Sequence, residues 1–118
     1  MKIKTEQIHF SEGLSLESGE KLDSFDLIIE SYGELNESKS NAILLCHAFS
    51  GNHHAAGEDE ELGIGWWDQI VGPKKAIDTE KYYVVCCNNL GGCAGSSGPT
   101  TINAATNKVF GKEFPLVT

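Results

Sequence analysis

Two uninterrupted apolar runs constrain this chain more than any other feature. They are Ala42-Ile43-Leu44-Leu45-Cys46, preceded by Asn41, and Tyr82-Tyr83-Val84-Val85-Cys86-Cys87. Neither carries a charge or alternates with polar residues, and both are bounded by polar or turn-forming segments. Short continuous apolar runs of this kind predict strands buried on both faces. The segment between them is far longer than a hairpin needs, so the two strands are expected to lie parallel, joined by a crossover. Within the crossover, Trp66, Trp67, Ile70 and Val71 fall at helical spacing just ahead of Gly72-Pro73. That pattern predicts a short amphipathic helix over 66–71.

The residues before the first run read differently. Residues 3–10 (IKTEQIHF) roughly alternate, as does Leu14-Ser15-Leu16, and Ser18-Gly19 reads as a turn. Phe25, Leu27 and Ile29 then alternate with Asp26, Ile28 and Glu30. These features predict a small antiparallel meander with one wet face, and a polar surface connection from Tyr32-Gly33 to Asn41. A meander leading into parallel strands implies a mixed α/β sheet. No long amphipathic helix is visible to cover its faces, so the chain reads as the first part of a fold. The expectation is one partial domain over 1–118, with opening antiparallel strands in 1–40 and the first parallel strands and their loops in 41–118.

Charge narrows the partners. The formal net charge is −8, and no Lys/Arg cluster occurs. Nucleic acid and anionic membrane both demand a basic face, so neither is expected as a partner. The amino terminus has no apolar h-region, and no apolar run is long enough to span a bilayer. The spacing of Cys46, Cys86, Cys87 and Cys93 suits neither a disulfide framework nor a zinc site, and buried thiols in a reducing cytoplasm are expected.

Several motifs could carry chemistry. The stretch Asn88–Asn103 (NNLGGCAGSSGPTTIN) follows the second apolar run without a spacer. It lacks the lysine and spacing of a P-loop, does not form G-x-G-x-x-G opening a helix, and places Ser96 and Ser97 outside a G-x-S-x-G elbow. It is either an irregular structural loop or a directly catalytic one, with the structural reading favoured. Cys93 is a candidate nucleophile with His47, His53 or His54 as its base, against the more ordinary reading of a structural cysteine. The same histidines with the acidic run 58–61 match no metal-ligand pattern, and no metal is expected. His47-Ala48-Phe49-Ser50-Gly51 is more informative. It ends a parallel strand, where open α/β sheets bind ligands and where hydrolase folds set an oxyanion-hole amide. Loop 88–98 leaves the neighbouring strand at the same edge, so the two loops are expected to line one site. Its candidate lining residues are His47, Ser50, Gly51, Asn89, Gly91, Gly92 and Cys93.

In combination these residues become specific. C-H-A-F-S-G-N-H-H-A-A-G, G-W-W-D, V-G-P-x-K-x-I-D-T, N-x-L-G-G-C-x-G-S-S-G-P and F-P-x-V-T occur in order from about Asn41 to Thr118. Together they resemble the amino-terminal part of the homoserine O-acyltransferase family. The resemblance implies an α/β-hydrolase fold and transfer of an acetyl or succinyl group from acyl-CoA to L-homoserine in methionine biosynthesis. It further implies a serine nucleophile acylated by the thioester, a histidine base and an aspartate that orients it. Acyl-CoA is then a co-substrate, no cofactor is held tightly, and full-length relatives are expected to be homodimers. The backbone N–H of Phe49 corresponds to one oxyanion donor. None of the triad is present: Ser50, Ser96 and Ser97 occupy no elbow context. A chain of this extent is expected to be inactive alone and to expose the apolar faces of its parallel strands. The competing expectation is a non-catalytic relic or a small ligand-binding α/β protein. A Cys93-dependent hydrolase is a third.

Overall fold

A computed structural model describes residues 1–117. In chain order the strands are β1 Ile3–Phe10, β2 Leu14–Ser15, β3 Lys21–Leu22, β4 Phe25–Tyr32, β5 Ala42–Leu45, β6 Glu58–Asp59, β7 Gly63–Ile64, β8 Val71–Gly72, β9 Ile77–Asp78, β10 Tyr83–Cys87, β11 Ile102–Asn103 and β12 Lys108–Val109. A 3-10 turn covers Gly111–Glu113. The principal sheet has the order β1-β4-β10-β5. As the apolar runs require, β10 pairs parallel with β5, Val84 opposite Ile43 and Cys86 opposite Leu45. On its other side β10 runs antiparallel to β4, Val84 facing Tyr32. The sheet is therefore mixed.

The residues form two compact units. The first comprises Met1–Glu6 and Ile29–Cys87, the second Gln7–Ile28 with the described residues from Asn88 onward. The first unit holds the core: Tyr32, Leu45, Ala55, Ala56, Val71, Val84 and Cys86, with Ile43 and Ile77 packed against it. In the second, Leu16 and Leu22 are buried. Phe10 stacks on Phe25 at 4.8 Å between centroids, and Phe110 meets Phe114 edge-to-face at 5.5 Å.

Three expectations are corrected. No helix forms over 66–71: Val71 N–H reaches the Trp67 carbonyl at 2.9 Å, a single turn, and Val71 then enters the β8–β9 ladder. Six residues between Gly65 and Gly72 are too few to offset helix nucleation. The crossover is built instead from the β6–β7 and β8–β9 ladders and turns. Next, the parallel strands are buried on one face only. Ile43, Leu45, Val84 and Cys86 turn toward the core, whereas Leu44 on the opposite face is 67% exposed. That open face is the exposure expected above of a chain of this extent. Finally, the thiols are not uniformly buried: Cys86 is, Cys87 is half-buried, and Cys46 and Cys93 are exposed. Among the described residues no helix is long and apolar enough to cross a membrane.

Candidate functional site at the carboxyl edge of the parallel strands

Because β5 and β10 are parallel and in register, both run out at the same edge of the sheet. Chain leaving β5 makes a tight turn in which Gly51 N–H bonds the Ala48 carbonyl at 2.8 Å. His47 Nδ1 lies 2.7 Å from the same carbonyl. The Phe49 side chain stands wholly in solvent, as does most of Ser50. No hydrogen bond to the Phe49 N–H occurs among the described residues. Ligands of open α/β sheets bind at this edge, beyond the carboxyl ends of the strands.

A few residues further along the chain, His54, Ala55 and Ala56 enter a polar network. Tyr32 is fully buried, and its hydroxyl donates to Glu30 while accepting from Ala55 N–H at 2.7 Å and Ala56 N–H at 3.2 Å. Glu30 also takes His54 Nδ1 at 2.8 Å and the Thr5 hydroxyl at 3.2 Å. His54 Nε2 faces the Gly63 carbonyl at 3.0 Å. With both ring nitrogens engaged, His54 serves as a strut. Burial first, then the Glu30 hydrogen bond and charge, push the Tyr32 phenol above its ordinary range and keep it a donor. Leaving a buried member of such a hydrogen-bonded set without its partner typically costs about 1–3 kcal/mol.

The sequence placed Glu30 on a wet face and Tyr32 in a surface connection, and both placements are corrected here. Contacts across more than 20 residues of chain bury them. The legible signal was a carboxylate near the end of a largely apolar strand with two adjacent histidines downstream. Asn52 braces the same region: its side chain accepts the His54 N–H at 2.8 Å, and its carbonyl accepts the Trp66 indole N–H at 3.0 Å.

His53 is buried beside this network, and its Nδ1 has no hydrogen-bond partner. Burial is the largest influence on it, aided by the nearby His54 and His47 and opposed by Glu30 and Asp59, and it holds the imidazole below the usual 6.5. A folded-state value below the unfolded one means that the contribution of neutral His53 is complete above the ordinary imidazole value and is lost as the pH falls through the folded one. Urea midpoints are therefore expected to fall as the pH is lowered from about 7 to about 5. A His53→Gln chain should show a flatter dependence. Equal slopes for the two chains would rule His53 out as the source.

Loop 88–98 belongs to the second unit and the 47–51 turn to the first. The loop is pinned along β4: Asn88 N–H bonds the Ile28 carbonyl at 2.8 Å and Ser97 N–H the Asp26 carbonyl at 2.8 Å. The serine hydroxyls continue the pattern. Ser96 Oγ accepts from Ile28 N–H at 2.9 Å and donates to the Asn88 carbonyl at 2.6 Å. Ser97 Oγ accepts from Asp26 N–H at 2.8 Å. Both hydroxyls replace ladder partners that an irregular loop cannot supply. Gly95 is needed here, because its φ of +99° and an approach of 2.8 Å from a Cβ to the Ile28 side chain exclude other residues. Asn89, Gly91 and Cys93 lie exposed on the loop and Gly92 is half-buried. Cys93 is in the second unit, whereas His47, His53 and His54 are in the first.

Motif aspartates elsewhere in the first unit serve as clamps. Asp68 of G-W-W-D accepts Gly57 N–H at 2.8 Å and pairs with Lys75 at 3.1 Å. Asp78 of I-D-T accepts the N–H groups of Lys74 and Glu80, each at 3.0 Å. These backbone hydrogen bonds are the main reason both carboxyls sit below their ordinary value.

No family model matches the chain. Curated relatives do. It is 55% identical over 118 residues to a homoserine O-succinyltransferase of Alkalilimnicola ehrlichii and 57% identical to one of Pseudomonas aeruginosa. Each match covers 98% of this chain and 31% of the relative. Among solved structures, esterase E22 superposes with a TM-score of 0.88 at 38% identity, over 99% of this chain and 34% of that one. A homoserine O-acetyltransferase from Bacillus anthracis gives 0.88 at 36% identity, over all of this chain and 33% of that one. The chain thus spans about a third of the length of the curated relatives it matches. With its motifs, its mixed sheet and the turn that closes β5 all in agreement, the chain is similar to about a third of the length of homoserine O-acyltransferases and has the α/β-hydrolase fold.

Proposed function

We propose that this chain is part of a homoserine O-acyltransferase that moves an acyl group from acyl-CoA to the hydroxyl of L-homoserine, releasing CoA. The observation that carries the reading is 53–57% identity to homoserine O-succinyltransferases across nearly the whole chain. Those names favour succinyl-CoA as the donor. In this mechanism a serine from the remaining two thirds of the relatives' length attacks the thioester carbonyl, and the Phe49 N–H stabilises the oxyanion. Homoserine then attacks the acyl-enzyme, with a histidine taking its hydroxyl proton. The Tyr32–Glu30–His54 network contributes by fixing the backbone that follows the turn. Acyl-CoA acts as a co-substrate with no tightly bound cofactor, in the cytoplasm.

The test is CoA release from succinyl-CoA and from acetyl-CoA, each with and without homoserine. It is run on this chain and on a reading frame extended to the length of the relatives. The extended protein should release CoA only when homoserine is present and faster from succinyl-CoA, while the 118-residue chain should not turn over. Homoserine-independent release by the extended protein would make it a thioesterase and sink the transferase reading. Faster turnover of acetyl-CoA would overturn the donor assignment alone.

A further inference from the structure

The open face of the parallel pair carries two thiols in register. Partners along the ladder are Tyr83–Ala42, Val84–Ile43, Val85–Leu44 and Cys86–Leu45. Carried one step past the end of the ladder, the same register would bring Cys87 opposite Cys46. Alternation fixes their side: Leu45 and Cys86 face the core, so Cys46 and Cys87 share the opposite face with Leu44 and Val85. Cys46 is exposed and Cys87 half-buried. Neighbouring strands of a sheet lie about 4.7–4.9 Å apart, inside the Cα span of about 4.4–6.8 Å that a disulfide bridges. Cys46 is also the first residue beyond β5, where the ladder no longer holds the backbone.

The third strand thiol is set apart. Cys86 is buried, its Sγ lies 3.8 Å from the Asn52 carbonyl, and burial is the main cause that pushes it up to about 12, with Cys87 and Cys46 adding. Both neighbours are therefore within electrostatic reach of Cys86, while Cys86 itself is a poor nucleophile.

We propose that Cys46 and Cys87 form a dithiol modification site, which closes to a disulfide when it meets a low-molecular-weight disulfide such as oxidised glutathione. The exposed Cys46 thiolate attacks one sulfur of the oxidant, forming a mixed disulfide and expelling one glutathione thiolate. Cys87, deprotonated, then attacks the Cys46 sulfur and expels the second glutathione thiolate. Two protein thiols are oxidised, one glutathione disulfide is reduced to two thiols, and the two protons go to solvent or to the departing thiolates. The product staples the carboxyl ends of β5 and β10 at the base of the 47–51 turn.

The chain is incubated with oxidised glutathione and quenched in acid. Remaining thiols are alkylated and the peptides mapped. The expected product weighs two hydrogens less than the reduced chain, contains a Cys46–Cys87 linked peptide and has lost alkylation at both residues. Cys87→Ser should instead retain a glutathione adduct on Cys46, and Cys93→Ser should form the link unchanged. The same reaction in denaturing urea should lose the preference for that pair. The proposal fails if the unsubstituted chain holds a lasting glutathione adduct on Cys46 while Cys87 is still alkylated. It fails equally if the dominant link runs through Cys93, or if native and denatured chains give the same mixture.

Discussion

Replacing Phe49 with proline is expected to lower kcat of the acyltransferase proposed above by about 10²–10³-fold, with little change in the KM for acyl-CoA. Proline lacks the N–H that would meet the oxyanion, and an oxyanion forms only in the transition state, so the loss falls on turnover. The position tolerates the change. Phe49 is the second residue of the turn closed by Gly51 N–H on the Ala48 carbonyl, which is where turns of this kind favour proline. Its side chain packs on nothing, being wholly exposed. Phe49→Ala keeps the N–H and removes the ring, so it isolates the amide. Steady-state kinetics on both variants decide the matter. If alanine and proline lower kcat alike, the ring or the turn matters and the amide does not.

The second large effect concerns stability. Gly65→Ala should destabilise the fold by about 3 kcal/mol or more. A Cβ at Gly65 would lie 2.2 Å from Ala56 N and 2.4 Å from both Ala55 C and Ala56 Cα. All three are backbone atoms held in place, since Ala55 and Ala56 donate to the Tyr32 hydroxyl and Trp67 N–H bonds the Ala55 carbonyl at 2.8 Å. Relief would require pulling that segment off the buried network. Gly63→Ala is the reference: Gly63 has φ +76° but nothing within 4 Å of its Cβ position. Its cost is conformational only, about 1–2 kcal/mol. Urea unfolding of the two variants should therefore rank Gly65→Ala well below Gly63→Ala. The opposite order would mean that the 55–56 segment yields easily and that the network is not rigid.

The motifs that make the family recognisable turn out to be largely scaffold. Asp68, Asp78, Ser96 and Ser97 all hold backbone N–H groups that no helix or strand satisfies. This explains why loop 88–98, rich in serine and glycine, resembles a catalytic loop without its spacing. Its hydroxyls serve as substitutes for main-chain partners along β4. Such a use follows from where the backbone passes and leaves no periodic trace in the sequence.

The sequence by itself determined the parallel pair, because two short apolar runs separated by a segment far longer than a hairpin needs are joined by a crossover. It also determined the edge at which the 47–51 turn emerges, since parallel strands in register must end together. Tertiary structure alone decided the rest. The tryptophan segment had helical spacing, but spacing cannot supply the length that nucleation requires, and the ladder with Ile77–Asp78 took Val71 instead. Glu30, Tyr32, His53 and His54 read as surface or metal-binding residues because their polarity is local information. Their burial depends on partners more than 20 residues away, brought together by folding of the first unit. The proposed pairing of Cys46 with Cys87 lies between these cases: both thiols are plain in the sequence, and only the parallel register points them toward each other.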